Sequence, residues 1–191
     1  MEKLLFEEPS IKRKKEAIEY IQEHYDCNSR INGSGGLYKY IDNYEEWLKK
    51  LENDKKGGLS EEIVPGLTYF LVREQDNKIV GMINIRLRLN ERLKKSGGHI
   101  GYGIRPTERR KGYNKVNLYL GLKVLKKYGI KEAMLSCNKE NLGSSKTMLA
   151  LGTVKKNEFY DEKNEVIIEN YIIDVEKSIE EYKSVYEKHC K

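Results

Sequence analysis

The feature that most restricts the fold of this chain is a strand that runs into a basic, glycine-containing turn and then a long helix. Alternating residues at 98–105 end at Pro106, and the basic turn Arg109–Gly112 precedes a strongly helical run. Backbone N–H groups in the first turn of a helix have no partner within the helix, and the helix dipole adds about half a positive charge there. The sequence therefore predicts an anion-binding turn between a strand and a helix.

Hydrophobic periodicity predicts groups of strands and helices in the rest of the chain. Strands are expected at 3–6, 68–73, 83–89, 99–105, 133–137, 154–160 and 166–175. Helices are expected at 10–25, at 112–128, at 141–151 and after 175. One more helix is expected to begin at a capping box formed by Asn43 and Glu46 and to end within Lys55–Gly58.

This order of elements predicts an α/β (α+β) fold with a mixed, mostly antiparallel central sheet of about six to seven strands and helices on both faces. Runs of strands linked by short turns favour antiparallel pairs, whereas the strand–helix–strand unit at 99–137 favours a parallel crossover.

Length and composition indicate one soluble, globular domain. The chain has 191 residues, of which 38% are hydrophobic and 35% are charged. No apolar run approaches the roughly 18 residues that span a bilayer, and the first residues are too acidic for a signal peptide. We therefore expect a cytoplasmic location and no membrane partner.

Cysteine and histidine spacing gives no indication of a metal site or a disulfide framework. The residues concerned are Cys27, Cys137, Cys190, His24, His99 and His189. Cys137 ends an apolar, strand-like run, which favours a buried, unreactive thiol.

Charge permits an anionic partner without indicating a broad basic surface. The net charge is +6, from 36 Lys and Arg against 30 Asp and Glu, and only residues 12–15 and 105–115 are locally basic. A small nucleic-acid-binding protein that uses the basic turn is an alternative from another functional class, but a broad basic face would then be expected. We therefore predict no nucleic-acid partner.

Two motifs resemble those of the GCN5-related N-acetyltransferase (GNAT) family. Arg109–Asn114 is similar to the family's Arg/Gln-x-x-Gly-x-Gly/Ala signature, with Asn114 in place of Gly or Ala. The segment from Asn141 to Gly152 is similar to its Asn-x-x-Ala motif, with Ser144 in the Ala position. The predicted order of elements matches the family fold from about residue 3 to 175.

The resemblance implies the acyl-CoA N-acyltransferase fold and an enzymatic function. It implies a GNAT domain at 1–175, with a C-terminal helical extension at 176–191 packed on or beside it. The implied reaction transfers acetyl from acetyl-coenzyme A (acetyl-CoA) to an amine of an unidentified acceptor by direct attack in a ternary complex. Acetyl-CoA is then the co-substrate, and no metal is required.

The resemblance also implies which residues hold the cofactor. In the family, main-chain amides of the turn bind the pyrophosphate, the preceding strand offers main-chain groups to the pantetheine, and the Asn motif lines the cofactor. The implied contacts are Ile104, Arg105, Arg109, Arg110, Lys111, Gly112, Tyr113, Asn114, Lys115, Asn141 and Ser144.

Proton transfer is less well specified by the resemblance. His99 lies close to the position of a family Glu and is a candidate base because its ordinary pKa is near neutrality, although a structural His is the alternative. Tyr102 and Glu108 are further candidates. Met148 takes the position of the family's general-acid Tyr and cannot donate a proton, so Tyr160 or water would have to serve. A non-catalytic acyl-CoA-binding or sensing module of the same fold is therefore the main alternative.

The acceptor is expected to be a small-molecule or peptide amine. In the family it is bound by the first two helices and their loop, here Glu16 to Gly58, and by the last strands. The Gly33–Gly36 loop with Tyr38 and Tyr40 is a candidate part of that site, and a plain surface loop is the alternative. Dimerisation is common in the family, which makes a homodimer one candidate assembly.

Overall fold

The strands form two antiparallel sheets in a computed structural model that describes residues 2–57 and 63–190. The first sheet has the order β1-β2-β3-β4 and the second the order β5-β7-β6. The strands are β1 (Leu4–Glu7), β2 (Gly66–Arg73), β3 (Lys78–Arg86), β4 (Ile100–Ile104), β5 (Glu132–Asn138), β6 (Val154–Asp161) and β7 (Val166–Asp174).

Helices cover both faces of the first sheet, which confirms the predicted fold class. On one face, α1 and α2 pack against Phe70, Val72 and Met82. On the other face, α4 packs against Ile83 and Ile85. The helices are α1 (Lys14–Asp26), α2 (Tyr44–Lys56), α3 (Glu91–Lys95), α4 (Tyr113–Lys127), α5 (Leu142–Leu149) and α6 (Val175–Tyr186).

The central sheet is divided between β4 and β5, the two strands for which the sequence favours a parallel crossover. Among the described residues they share no ladder, and one antiparallel bridge joins Gly98 to Leu135. The His99 N–H donates to the Met134 carbonyl at 2.7 Å beside this bridge. Beyond this bridge the described residues of the two strands are not paired.

Several element boundaries differ from the sequence-based predictions. The predicted strand at 83–89 ends at Arg86, and the predicted polar connection after it contains α3, whose first turn is capped by the Asn90 side chain. The capping box at Asn43 does not form, because the Asn43 side chain makes no capping hydrogen bond. Gly58, in the predicted end of α2, lies outside the described residues.

The position of α4 is fixed by glycines at three points. Gly112 precedes the helix with a φ of 85°, and Gly129 follows it with a φ of 74°. The Ile130 N–H donates to the Leu125 carbonyl at 3.0 Å, which closes the C-terminus as a Schellman motif. At Gly121, a Cβ atom would lie 2.7 Å from Ile83 Cδ1, so the missing side chain lets α4 approach the sheet.

The C-terminal helix α6 packs on α4. Val175, Ile179 and Tyr186 are buried in the same core cluster as α4, and the rings of Tyr119 and Tyr186 lie 5.6 Å apart. None of the helices in the described part of the chain is long and apolar enough to cross a membrane.

The loop between α1 and α2 lies directly on the backbone of β3 and β4. A Cβ atom on Gly33 would lie 2.6 Å from the Met82 carbonyl oxygen and 2.6 Å from Tyr102 Cα. A Cβ atom on Gly103 would lie 2.6 Å from the Asn32 carbonyl oxygen. Glycine at both positions therefore lets residues 32–33 reach β4.

Gly33→Ala should destabilise the protein much more than Gly36→Ala. Both glycines have positive φ, 73° and 85°, so each alanine costs about 1 kcal/mol for a left-handed backbone. A Cβ at Gly36 meets only Lys50 Cε at 3.9 Å, whereas one at Gly33 meets backbone atoms. We expect a loss of roughly 3 kcal/mol for Gly33→Ala, measured by urea denaturation. Equal losses would show that the loop does not contact β4 in this way.

Candidate active site

A cleft of about 640 Å³ opens beside β4. It is bordered by the α1–α2 loop, β4, the basic turn, the first turn of α4, and α5. Nine of the eleven predicted cofactor contacts line it: Ile104, Arg109, Arg110, Gly112, Tyr113, Asn114, Lys115, Asn141 and Ser144. Arg105 and Lys111 are not among the lining residues.

The N-terminus of α4 faces this cleft with its amides open. Gly112 is the residue before the helix, and no side chain caps this helix within the described part of the chain. Its left-handed backbone, together with a φ of 62° at Arg110, turns the chain sharply into the helix. The amides of the first turn and the helix dipole therefore remain available to an anion.

Positive charge surrounds the open amides. Arg30, Arg110, Lys115 and Lys146 line the cleft, and none of the ion pairs among the described residues involves them. Arg109 instead joins two walls of the cleft: its Nε donates to the Ile104 carbonyl at 3.2 Å and its Nη2 to Ser29 Oγ at 2.5 Å.

Glu108 lines the cleft beside the turn and binds three cations. Its buried carboxylate accepts from Arg73 Nη1 at 2.7 Å, Lys111 Nζ at 2.8 Å and Lys78 Nζ at 3.0 Å. Burial raises the pKa of this carboxyl, but these hydrogen bonds outweigh that effect and lower the pKa to about 2. Glu108 therefore stays ionised near neutrality and is a weak base.

Arg105 turns toward α1 and not toward the cleft. Its Nε donates to the Ile79 carbonyl at 2.8 Å and its Nη1 to Glu23 Oε2 at 3.0 Å. Glu23 also accepts from the backbone N–H of Thr107 at 3.0 Å. The side chain of Arg105 is buried, and it ties α1 to the turn that leads into α4.

Main-chain groups of β4 face the gap left by β5. The Arg86 N–H donates to the His99 carbonyl, and the Arg105 N–H donates to the Val80 carbonyl, so residues 99 and 105 both bond to β3. Because antiparallel pairing alternates along a strand, the backbone groups of Tyr102 and Ile104 point away from β3. Both residues line the cleft.

His99 lies at the junction of the two sheets and not among the lining residues. Its Nδ1 accepts from the Met134 N–H at 3.0 Å, which assigns the proton of the neutral ring to Nε2. Burial lowers the pKa of His99. Its lone pair is thus engaged in holding β4 to β5.

The remaining proton-transfer positions are widely separated. The Met148 side chain is buried in the core, at 1% exposure. Tyr160 is 59% exposed on the edge strand β6 and is not among the lining residues. Tyr102 lines the cleft, and its hydroxyl lies 2.8 Å from Ser144 Oγ.

The two family-like motifs meet at the cleft. Asn141 caps α5 by accepting from the Ser144 N–H at 3.1 Å. Asn114, which departs from the family pattern, reaches from α4 to α5: its Nδ2 donates to Thr147 Oγ1 at 3.4 Å. The side chain at this unusual position therefore links the two helices.

The structure adds lining residues that the sequence did not indicate as cofactor contacts. Ser29, Arg30 and Asn32 come from the α1–α2 loop, and no periodic pattern marks them. Lys146 and Thr147 come from α5. Thr147 lies three residues after Ser144, and that helical spacing could have identified it.

Neither a disulfide nor a metal site is found among the described residues. Cys27, Cys137 and Cys190 are free, and no group of three or more His, Cys, Asp or Glu side chains there could hold a metal ion. Burial raises the pKa of the Cys137 thiol to about 11.

Similar proteins of known structure share this fold. RimJ from Mycobacterium smegmatis, in complex with CoA-disulfide, is 11% identical with a TM-score of 0.69, over 94% of this chain and 87% of that one. Microcin C7 self-immunity acetyltransferase MccE, in complex with acetyl-CoA and AMP, is 17% identical with a TM-score of 0.65, over 91% and 93%. A GNAT-family acetyltransferase from Bacillus anthracis is 19% identical with a TM-score of 0.60, over 92% and 96%.

Sequence comparison gives the family. No curated protein matches the chain. The family model described as Acetyltransferase (GNAT) family matches residues 17–152, which include the α1–α2 loop, the basic turn and the Asn141 segment. This match covers more than half of the chain, which therefore belongs to the GNAT family of acetyltransferases.

Proposed function

We propose that this protein is an N-acetyltransferase that transfers acetyl from acetyl-CoA to an amine by direct attack in a ternary complex. The observation that carries the proposal is the cleft beside β4, at which the uncapped N-terminus of α4 and four cations outside the ion pairs of the described chain are brought together. This arrangement suits a ligand with several phosphate groups at one end.

The residues present fit coenzyme A. The amides at Gly112, Tyr113 and Asn114 would hold the pyrophosphate, with Arg110 and Lys115 adding charge. The backbone groups of β4 that face the gap would bind the pantetheine and the thioester carbonyl. A main-chain N–H aimed at the developing oxyanion contributes roughly 3–4 kcal/mol to the transition state.

Proton transfer stays at the level of prediction. His99 is the proposed base, and accepting a proton at Nδ1 would require its bond with the Met134 N–H to break. Tyr160, the proposed acid, would have to act from an exposed position on β6. The cytoplasmic location, the absence of a nucleic-acid partner, a homodimer and the domain limits at 175 and 176 also stay predictions.

A non-catalytic acyl-CoA sensor remains the second candidate function. It is favoured by the buried Met148 at the position of the family's general acid and by the engaged lone pair of His99. Both functions predict cofactor binding, so they differ only in turnover.

Acetyl-CoA should raise the melting temperature of the wild-type protein through mass action. At 100 times the dissociation constant, the gain is about 2.7 kcal/mol, or about 5 to 10 °C for a chain of this size. Differential scanning fluorimetry measures the shift. Thiol release with a panel of aliphatic amines, amino acids and peptides then measures turnover. If millimolar acetyl-CoA does not raise the melting temperature, the proposed cofactor site is wrong. If it raises the melting temperature but no amine gives thiol release, the sensor is the favoured function.

A further inference from the structure

Two hydroxyl groups meet across the cleft. Tyr102 stands on β4 and Ser144 on α5, with 2.8 Å between Oη and Oγ. We infer that the Tyr102 hydroxyl, oriented by Ser144, is the hydrogen-bond donor to the sulfur of the leaving coenzyme A thiolate, an inference that rests on the proposed acetyl transfer.

Tyr102 is a cleft tyrosine whose hydroxyl is not hydrogen-bonded to a charged group in the described part of the chain. Tyr113 also lines the cleft, but its hydroxyl donates to Glu2 and accepts from Arg73 Nη1 at 3.1 Å. The Tyr171 hydroxyl donates to Glu169 at 2.6 Å. Ser144 can donate to Tyr102 Oη, and the Ser144 carbonyl oxygen, at a long 3.4 Å, is then the acceptor nearest the Tyr102 hydrogen within the described part of the chain. A thiolate in the cleft is a stronger acceptor than this distant carbonyl.

Tyr102 also lies on the part of β4 that is nearer to the bridge at Gly98 than Ile104 is. The two sheets are joined at Gly98, and β4 runs from there past Tyr102 to Ile104 and the turn before Gly112. A ligand that places its phosphates at the N-terminus of α4 and extends along β4 therefore brings its far end, the thioester, toward Tyr102.

Departures from the family pattern occur on both sides of this pair. The chain has Met148 where the family has a tyrosine and Ser144 where it has an alanine. Relative to the family, α5 therefore lacks a hydroxyl at position 148 and has an additional hydroxyl at position 144. The additional hydroxyl is the one that contacts Tyr102.

Acetyl transfer does not require Tyr102 to give up its proton. The amine nitrogen bonds to the carbonyl carbon, the carbon–sulfur bond breaks, and its electron pair moves to sulfur. The Tyr102 hydroxyl donates a hydrogen bond to that charge while it develops, water then supplies the thiol proton, and the proposed base, His99, takes the proton of the amine. Burial raises the pKa of Tyr102, so it keeps its proton and serves as a donor and not as a base.

Two variants, Tyr102→Phe and Ser144→Ala, test the inference. The control variant is Tyr128→Phe, which changes a half-exposed tyrosine at the end of α4. We expect kcat for thiol release to fall on the order of 10- to 100-fold in Tyr102→Phe, by less in Ser144→Ala, and not at all in Tyr128→Phe. The KM for acetyl-CoA and the acetyl-CoA melting shift should be unchanged in Tyr102→Phe and in Tyr128→Phe.

A second co-substrate separates donation from a structural role. The selenolate that leaves from acetyl-selenocoenzyme A is a weaker base and needs less stabilisation, so the defect of Tyr102→Phe should narrow with it. Three results in Tyr102→Phe would each overturn this inference and leave the proposed function standing. They are an unchanged kcat, a defect of the same size with both co-substrates, and loss of the acetyl-CoA melting shift. A wild-type protein that releases no thiol with any amine would instead overturn the proposed function, and this inference with it.

Discussion

Gly112→Glu should remove the rise in melting temperature that acetyl-CoA gives the wild-type protein. Gly112 has a φ of 85° immediately before α4, so a glutamate there strains the backbone by about 1–2 kcal/mol. It also places a carboxylate beside the amides that would hold the pyrophosphate, where like charge opposes binding. The expected melting shift is zero at acetyl-CoA concentrations that stabilise the wild type by several degrees.

Gly129→Glu is the matched control at the other end of the same helix. Its φ is 74°, no atom lies within 4 Å of a Cβ there, and the substitution adds the same charge. Both variants should lose stability without ligand, but Gly129→Glu should keep the full melting shift. Loss of the shift in both variants would mean that global stability, and not the turn, controls binding.

The parts of the site that the sequence predicted are local. The basic turn, the glycine before α4 and the Asn141 cap each depend on residues a few positions apart, and all three line the cleft. Helix and strand periods also depend on near neighbours, so the order of elements could be predicted.

The parts that the sequence could not predict depend on distant partners. Arg105 belongs to the same basic cluster as Arg110, yet its ion pair with Glu23 turns it away from the cleft. Spacing gives no indication of which cation is paired, because Glu23 lies on α1, far from the turn in sequence. The separation of β4 from β5 is a similar case, since hydrophobic pattern alone favours pairing them.

The role of His99 shows the same limit. Its sequence position suggests a base, but the Met134 N–H, brought close only by the fold, engages its Nδ1. Only the contact between β4 and β5 decides whether that lone pair is free.

Glu108→Gln should produce a large loss of stability at neutral pH. The amide cannot hold the charge of Arg73, which is itself largely buried, and breaking a buried ion pair on one side costs about 3–5 kcal/mol. The pKa of about 2 gives a similar figure: against an unfolded value of about 4.3, the shift is worth about 3 kcal/mol. Solvent around the partly exposed Lys78 and Lys111 lowers this to about 2 kcal/mol.

The pH dependence gives this prediction its second measurement. A carboxyl whose folded pKa is depressed stabilises the protein above its unfolded pKa, and that contribution is lost as pH falls from about 4 to 2. Urea denaturation should therefore show that the free energy of unfolding falls less steeply with decreasing pH in Glu108→Gln than in the wild type, and the two curves should converge near pH 2.

Glu158→Gln is the control. Glu158 also pairs with two lysines, Lys139 and Lys155, but on the surface, so this variant should lose little stability. If both variants behaved alike, Glu108 would be one more surface carboxylate, and the cations that bind it beside the basic turn would not depend on it.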